Sequence, residues 1–254
     1  ARHGFIDHRD SMGAKARFGT GDVQWMTAGS GVVHCEMFPL VNRAAENPAE
    51  LFQIWLNLPA KNKMVPPYFT MFWSDEVPVV TMLDAAGRKT EVLTIAGQLD
   101  ATPPAPPPDS WAADPAHRIQ IWRIAMEPLA EFTLSAASEG DGRVLYIYDG
   151  DGVTVAGTVI ANDHGVQLNP TAHATLVNGE KASEMLLLSG QPIGEPVAQH
   201  GPFVMNNRAE LQQAFSDYQR TGFGGWPWES DDPVHGAEEG RFAVHADGRI
   251  ERPK

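Results

Sequence analysis

Gly21-Asp22-Val23-Gln24-Trp25-Met26-Thr27-Ala28-Gly29-Ser30-Gly31-Val32-Val33 runs directly into His34-Cys35-Glu36. A Gly-Asp turn leads a short strand over 23–26, a glycine-rich bend follows, and a second strand over 32–37 presents His34 and Glu36. Residues i and i+2 of a strand point to one face. The imidazole of His34 and the carboxylate of Glu36 therefore reach toward one point, while Cys35 between them turns away. An imidazole with a carboxylate suits a first-row divalent metal, and inside a small barrel the pair is half of a metal site. Cys35 is expected to be a small buried filler.

Outward from this stretch the chain reads as short strands between turn signals. In the first half these are 16–18, 79–83 and 91–95, the last two flanking the hairpin-like turn Asp84-Ala85-Ala86-Gly87. Leu51-Phe52-Gln53-Ile54-Trp55-Leu56-Asn57-Leu58 is the clearest strand, with Phe52, Ile54, Leu56 and Leu58 on one face and Gln53 and Asn57 on the other. Residues 101–109 hold five prolines in nine positions, which predicts an exposed loop near a domain boundary. Beyond it, strands are predicted at 118–126, 131–134, 143–148, 153–155, 158–160, 165–168, 172–177 and 183–188. Strands at this spacing indicate a sandwich or small barrel. One helix stands apart: Asn207 and Glu210 have capping-box spacing, Leu211, Phe215 and Tyr218 follow at i, i+4 and i+7, and Gly222 closes it. The tail after Gly224 reads as a surface-wrapping extension anchored by Trp226 and Trp228.

Bulk properties narrow the function classes. A chain of 254 residues with 43% hydrophobic content can bury a sizeable core. Net charge is −13, from 19 basic and 32 acidic residues, and there is no basic cluster, which argues against direct nucleic-acid binding. No run of about 18 apolar residues marks a membrane span. A single cysteine excludes an internal disulfide and fits a reducing compartment, so a cytoplasmic protein is expected. There is no Gly-x-Gly-x-x-Gly, P-loop or Gly-x-Ser-x-Gly, hence no support for a nucleotide cofactor or serine hydrolysis.

Asp7-His8-Arg9-Asp10-Ser11-Met12-Gly13, the 21–34 stretch with Glu36, Leu188-Ser189-Gly190-Gln191-Pro192-Ile193-Gly194-Glu195-Pro196-Val197 and His200-Gly201-Pro202-Phe203-Val204-Met205-Asn206 together resemble the signatures of the pirin family. The resemblance runs from about residue 4 to about residue 245. It implies an all-β chain of two cupin-like barrels in tandem with a short C-terminal helix. The expected division is an N-terminal barrel over 1–100, a proline-rich loop over 101–115, a second, metal-free barrel over 116–206, and a helix and wrapping tail over 207–254.

The resemblance also implies iron held by three histidines and one glutamate. Two of those histidines belong to a His-x-His-Arg-Gly-Phe-type motif upstream of the position matching His8. No His-x-His pair occurs in the sequence, so only His34 and Glu36 carry over as ligands, and a chain lacking its N-terminal segment is expected. A fragment, a misplaced gene start and a degenerate member all stay open. Neither His3 nor His8 matches a family ligand. His8 is expected to precede a turn at Met12-Gly13 whose backbone is bonded by Asp10 or Ser11. His200, within its signature, is expected to pack or bond near the interface of the two barrels, whereas His117, His164, His173, His235 and His245 carry no motif.

The leading expectation is an Fe(II)-dependent dioxygenase similar to quercetin 2,3-dioxygenase, opening a flavonol ring with O₂; Mn, Ni and Zn are the alternative metals. Glu36 would ligate and take the substrate hydroxyl proton, and Phe5, Trp25, Met26 and Phe52 are candidate pocket residues. A second reading is a redox-responsive regulator docking a protein partner through an acidic surface. A third is an inactive fragment with an opened first barrel.

Overall fold

The computed structural model describes residues 1–231 and 234–254. Its strands follow the turn chemistry. The hexapeptide β1 (Phe5–Asp10) turns through Asp10, whose Oδ1 accepts from the backbone N–H of Met12 at 2.9 Å and of Ala14 at 3.0 Å, into β2 (Lys15–Gly19). The Gly21-Asp22 turn opens β3 (Val23–Thr27), and the glycine bend leads to β4 (His34–Met37). β1 pairs antiparallel with both β2 and β4, and β3 pairs with β5 (Tyr68–Phe72).

Ten strands follow: β6 (Val79–Leu83), β7 (Lys89–Ala96), β8 (Gln120–Met126), β9 (Glu131–Leu134), β10 (Gly142–Asp149), β11 (Val153–Val155), β12 (Thr158–Ile160), β13 (His164–Gln167), β14 (Ala174–Asn178) and β15 (Ser183–Gly190). They form a six-stranded sheet in the order β13-β10-β15-β8-β7-β6 and a four-stranded sheet in the order β12-β11-β14-β9. Ile124, Met126, Leu145, Ile147, Met185 and Leu187 from the first sheet meet Phe132, Leu134, Val153, Val155 and Leu176 from the second in one buried core. This is the sheet-on-sheet arrangement that period-two patterning predicts.

The rest of the chain comprises β16 (Ala198–His200), β17 (Phe203–Met205), α1 (Arg208–Thr221), β18 (Phe242–Val244) and β19 (Ile250–Glu251). The helix caps are those expected: Asn207 accepts from the N–H of Glu210, the N–H of Asn206 donates to the Glu210 carboxylate, and Gly222 adopts φ 55°. The chain is all-β apart from this helix and a few short 3-10 turns, and no helix among the described residues is long and apolar enough to cross a membrane.

The chain divides into two compact units that interleave along it. One comprises Ala1–Glu76, Pro106–Ala113 and Ile193–Lys254, the other Val77–Ala105 and Asp114–Pro192. This differs from the expected boundary at residue 100. β6 and β7 belong with the second unit because β7 is hydrogen-bonded along β8, and the tail belongs with the first because β18 pairs with β2. The proline-rich segment is not uniformly exposed: Thr102 and Pro108 face solvent, whereas Pro107 is buried.

Two further expectations are corrected. Residues 51–58 form no strand. Their alternation persists in part, with Gln53 and Trp55 exposed and Phe52, Ile54, Leu56 and Leu58 half-buried. A ladder also requires a hydrogen-bonding neighbour, and beside this segment the ladder amounts to the isolated bridge His3–Glu50. The tail does more than wrap. Trp228 does anchor it, donating from Nε1 to the Asp10 carbonyl at 2.8 Å beneath the Arg9 guanidinium, but the tail also supplies two strands to the sheet β19-β18-β2-β1-β4.

Asp7 and Arg17 stand opposite each other across β1 and β2, both buried. Arg17 donates from Nε and Nη2 to the two Asp7 carboxylate oxygens at 2.7 Å each. Its remaining donors reach the carbonyls of His235, Gly236 and Glu239 at 3.2, 2.8 and 2.7 Å, and the His235 N–H donates to Asp7 at 2.8 Å. Removing one partner would leave a buried charge uncompensated. Arg17→Met is therefore expected to destabilise the protein by about 3–5 kcal/mol, read as a lowered urea midpoint.

Burial pushes the His235 imidazole below its ordinary value, with the charges of Arg9 and Arg17 adding and that of Asp7 and a bond to the Ala16 carbonyl opposing. The unfolded chain then takes up this proton at higher pH than the folded one. The resulting stability is present above about pH 6.5 and is lost as pH falls through the depressed folded value. Urea titrations of metal-free protein should show this slope, and His235→Gln should flatten it.

Candidate metal centre

The register of β1 against β4 sets His8 opposite Glu36 and Asp10 opposite His34. Directly opposed residues share a face, as do residues two apart in one strand, so all four side chains project from one side of the sheet. His8 Nδ1 lies 3.9 Å from Glu36 Oε1, and His34 Nδ1 lies 4.0 Å from the same oxygen. One donor atom from each of His8, His34 and Glu36 falls within 4.8 Å of the other two.

The cluster has a closed floor and an open mouth. His8 and Asp10 are fully buried, whereas the His34 and Glu36 side chains retain 33% and 25% of their exposure. His8 Nε2 and Asp10 Oδ2 are 3.3 Å apart, and the His8 ring stacks on Phe69 with centroids 5.5 Å apart and planes 13° from parallel. His8 Nδ1 is buried and has no hydrogen-bond partner. Burial lowers the pKa of His34, with the His8 charge adding and the charges of Glu36 and Asp10 opposing, so a neutral imidazole is favoured there. Neutral imidazole is the form that binds metal. Two imidazoles and a carboxylate converging on one point, one with an orphaned ring nitrogen, fit a first-row divalent metal.

The bend that delivers β4 is held by backbone. The Ser30 N–H donates to the Val65 carbonyl at 2.8 Å, that of Gly31 to Ala28 at 2.9 Å and that of Ser11 to Val33 at 2.8 Å, while Ser11 Oγ accepts from the Val33 N–H at 3.0 Å. Gly29 sits at φ 52°, and a Cβ there would collide with the Val65 carbonyl oxygen.

His34 and Glu36 thus come together as strand alternation predicts. Cys35 does lie between them but is half-buried rather than buried. The turn expected after His8 is present, bonded by Asp10, and His8 itself lies within β1 and faces the cluster. Its signal was the pairing of β1 with β4, which no local pattern in the sequence announces. His3 is remote, its side chain 59% exposed beside Glu50. Phe69 was also missed. Of the candidate pocket residues, Met26 stands opposite Phe69 across β3 and β5 and shares its face, whereas Trp25 turns to the other side, against Phe72.

An all-β chain with a His-Glu cluster on a barrel strand defines a cupin-type protein. Two family models match it: Pirin over residues 1–56 and the Pirin C-terminal cupin domain over 121–224. The chain is 36% identical over 222 residues to a pirin-like protein of Caulobacter vibrioides, covering 87% of this chain and 74% of that one. It is 32% identical over 226 residues to a pirin-like protein of Solanum lycopersicum, covering 85% and 69%. Among solved structures it is similar to a quercetin 2,3-dioxygenase from Acinetobacter baumannii, with a TM-score of 0.72 and 32% identity over 87% of this chain and 73% of that one. The chain belongs to the pirin family.

If the glycine bend positions β4, then Gly29→Ala, forced against a backbone oxygen at a left-handed φ, should weaken Co(II) binding by about tenfold or more. Calorimetric titration against the wild type measures this.

Proposed function

We propose that this chain is a metal-dependent dioxygenase of the quercetin 2,3-dioxygenase type, with a divalent metal, iron foremost, held by His34 and Glu36. The observation that carries this reading is the half-open cluster of imidazole and carboxylate donors in a member of the pirin family. A bound first-row metal supplies a Lewis acid with positions for a hydroxylated aromatic substrate and for O₂. The chain's own residues do the rest. His34, kept neutral by burial, remains a ligand as pH falls. The Glu36 carboxylate, a quarter exposed at the mouth, accepts the substrate hydroxyl proton. Phe69 backs the His8 ring, and half-buried Met26, opposite it across β3 and β5, offers apolar surface suited to a flat ring.

The test is anaerobic reconstitution with Fe(II), metal analysis, and quercetin turnover followed by carbon monoxide release. About one iron per chain is expected, abolished in His34→Ala. Glu36→Gln should lower kcat by roughly 100-fold or more. Wild-type turnover in His34→Ala would overturn the assignment.

A further inference from the structure

We infer that Phe223, just beyond the C-cap of α1, is a positioning residue of the metal centre: its ring braces the glycine bend that delivers His34 and Glu36 on β4. The inference rests on the metal reading above. It also gives a role to the signature around His200 and Phe203, which that reading leaves unused.

Residues 222–225 all take positive φ, at 55°, 48°, 98° and 78°. Three of them are glycines, which adopt it readily, but Phe223 carries a Cβ in a left-handed conformation that bulky residues avoid. Such an outlier persists only where the surroundings over-determine it. Here they do. The Phe223 ring lies so close to Gly31 that a Cβ on Gly31 would collide with it. The same ring packs on Phe203 and Tyr218, with centroids 5.9 and 5.3 Å away. Phe203 in turn meets Phe215 edge-on at 4.6 Å, and His200 meets Phe215 at 5.4 Å. β16, β17 and α1 thus share one aromatic cluster, and Phe223 joins that cluster to the bend.

The residues that follow grip the neighbouring turn. A Cβ on Gly224 would meet the Ser11 carbonyl oxygen at 3.3 Å, and Trp228 Nε1 donates to the Asp10 carbonyl at 2.8 Å. Ser11 is bonded through both its N–H and its Oγ to Val33, the residue before His34. Residues 222–228 therefore press on the turn after β1 and on the bend before β4, the backbone from which His34 and Glu36 take their direction. Ligand donors hold their geometry only when residues outside the ligand set support them in this way.

The competing account is that the ring stabilises the fold and leaves the metal indifferent. Phe223→Gly separates the two, because glycine suits the left-handed backbone and only the ring is lost. In the full-length protein it is expected to weaken Co(II) binding about tenfold or more and to shift the visible ligand-field bands that report cobalt geometry. Leu211→Ala, which truncates a buried side chain elsewhere in α1, should lower the urea midpoint while leaving Co(II) affinity and bands unchanged. By reciprocity, Co(II) loading of the wild type should slow amide exchange across 222–228. Unchanged Co(II) affinity and bands in folded Phe223→Gly overturn the role of Phe223 and leave His34 and Glu36 in place. If Phe223→Gly does not fold, as judged by circular dichroism, the exchange measurement decides, and no slowing across 222–228 overturns the inference. Failure of the wild type to bind Co(II), or binding indifferent to His34→Ala, overturns the metal reading and this inference with it.

Discussion

The buried pair of Asp7 and Arg17 is the constraint on which the first unit depends. Two charges removed from water survive only when every donor and acceptor is matched. Arg17 meets that condition with five hydrogen bonds, two to Asp7 and three to tail carbonyls. The pair therefore locks the β1–β2 register and requires residues 235–239 to lie over it. A chain without that tail would leave two carboxylate oxygens and a guanidinium in an apolar setting with half their partners missing.

This arrangement makes β1 a strand buried on both faces. Ile6, His8 and Asp10 point inward, with Ile6 packed among Phe18, Phe69 and Met71, while Asp7 points outward beneath the tail. A polar strand covered on both sides cannot slip, because a shift of one residue would exchange Asp7 with His8 and strand a charge in the core. The same rigidity serves the site. His8 and Asp10 lie in the strand that Asp7 anchors, and β4 inherits its position from β1. A precise donor cluster is better carried by such a strand than by a loop.

The second unit is held differently. Its core is a sandwich of aliphatic and thioether side chains from two sheets, and its strands lie close to where alternation and glycine turns predict. Where each strand ends at a recognisable turn and pairs with a partner of matching pattern, local reading is a good guide. Asp84 and Gly87 between β6 and β7 show this: the Asp84 carboxylate accepts from the N–H groups of Ala86 and Arg88, fixing a hairpin legible in four letters. Residues 51–58 show the opposite case. Their alternation was equally clear, but pattern marks only which side chains turn inward; a strand exists when another backbone supplies its hydrogen bonds.

Within the site the same distinction holds. The sequence alone determined that His34 and Glu36 share a face, because alternation is a property of a single strand, and that Asp10 or Ser11 would close the turn after β1, because such side-chain turns span only a few residues; the structure assigns that bond to Asp10. The sequence also determined the helix caps, whose donors and acceptors are three or four residues apart. Only the tertiary structure decided that His8 belongs with Glu36, that Phe69 stacks beneath it, and that a tail more than 200 residues distant closes over Asp7. Those contacts depend on register and on which strands become neighbours. Both are settled by burial and hydrogen bonding summed over the whole unit, and neither leaves a local periodicity to read.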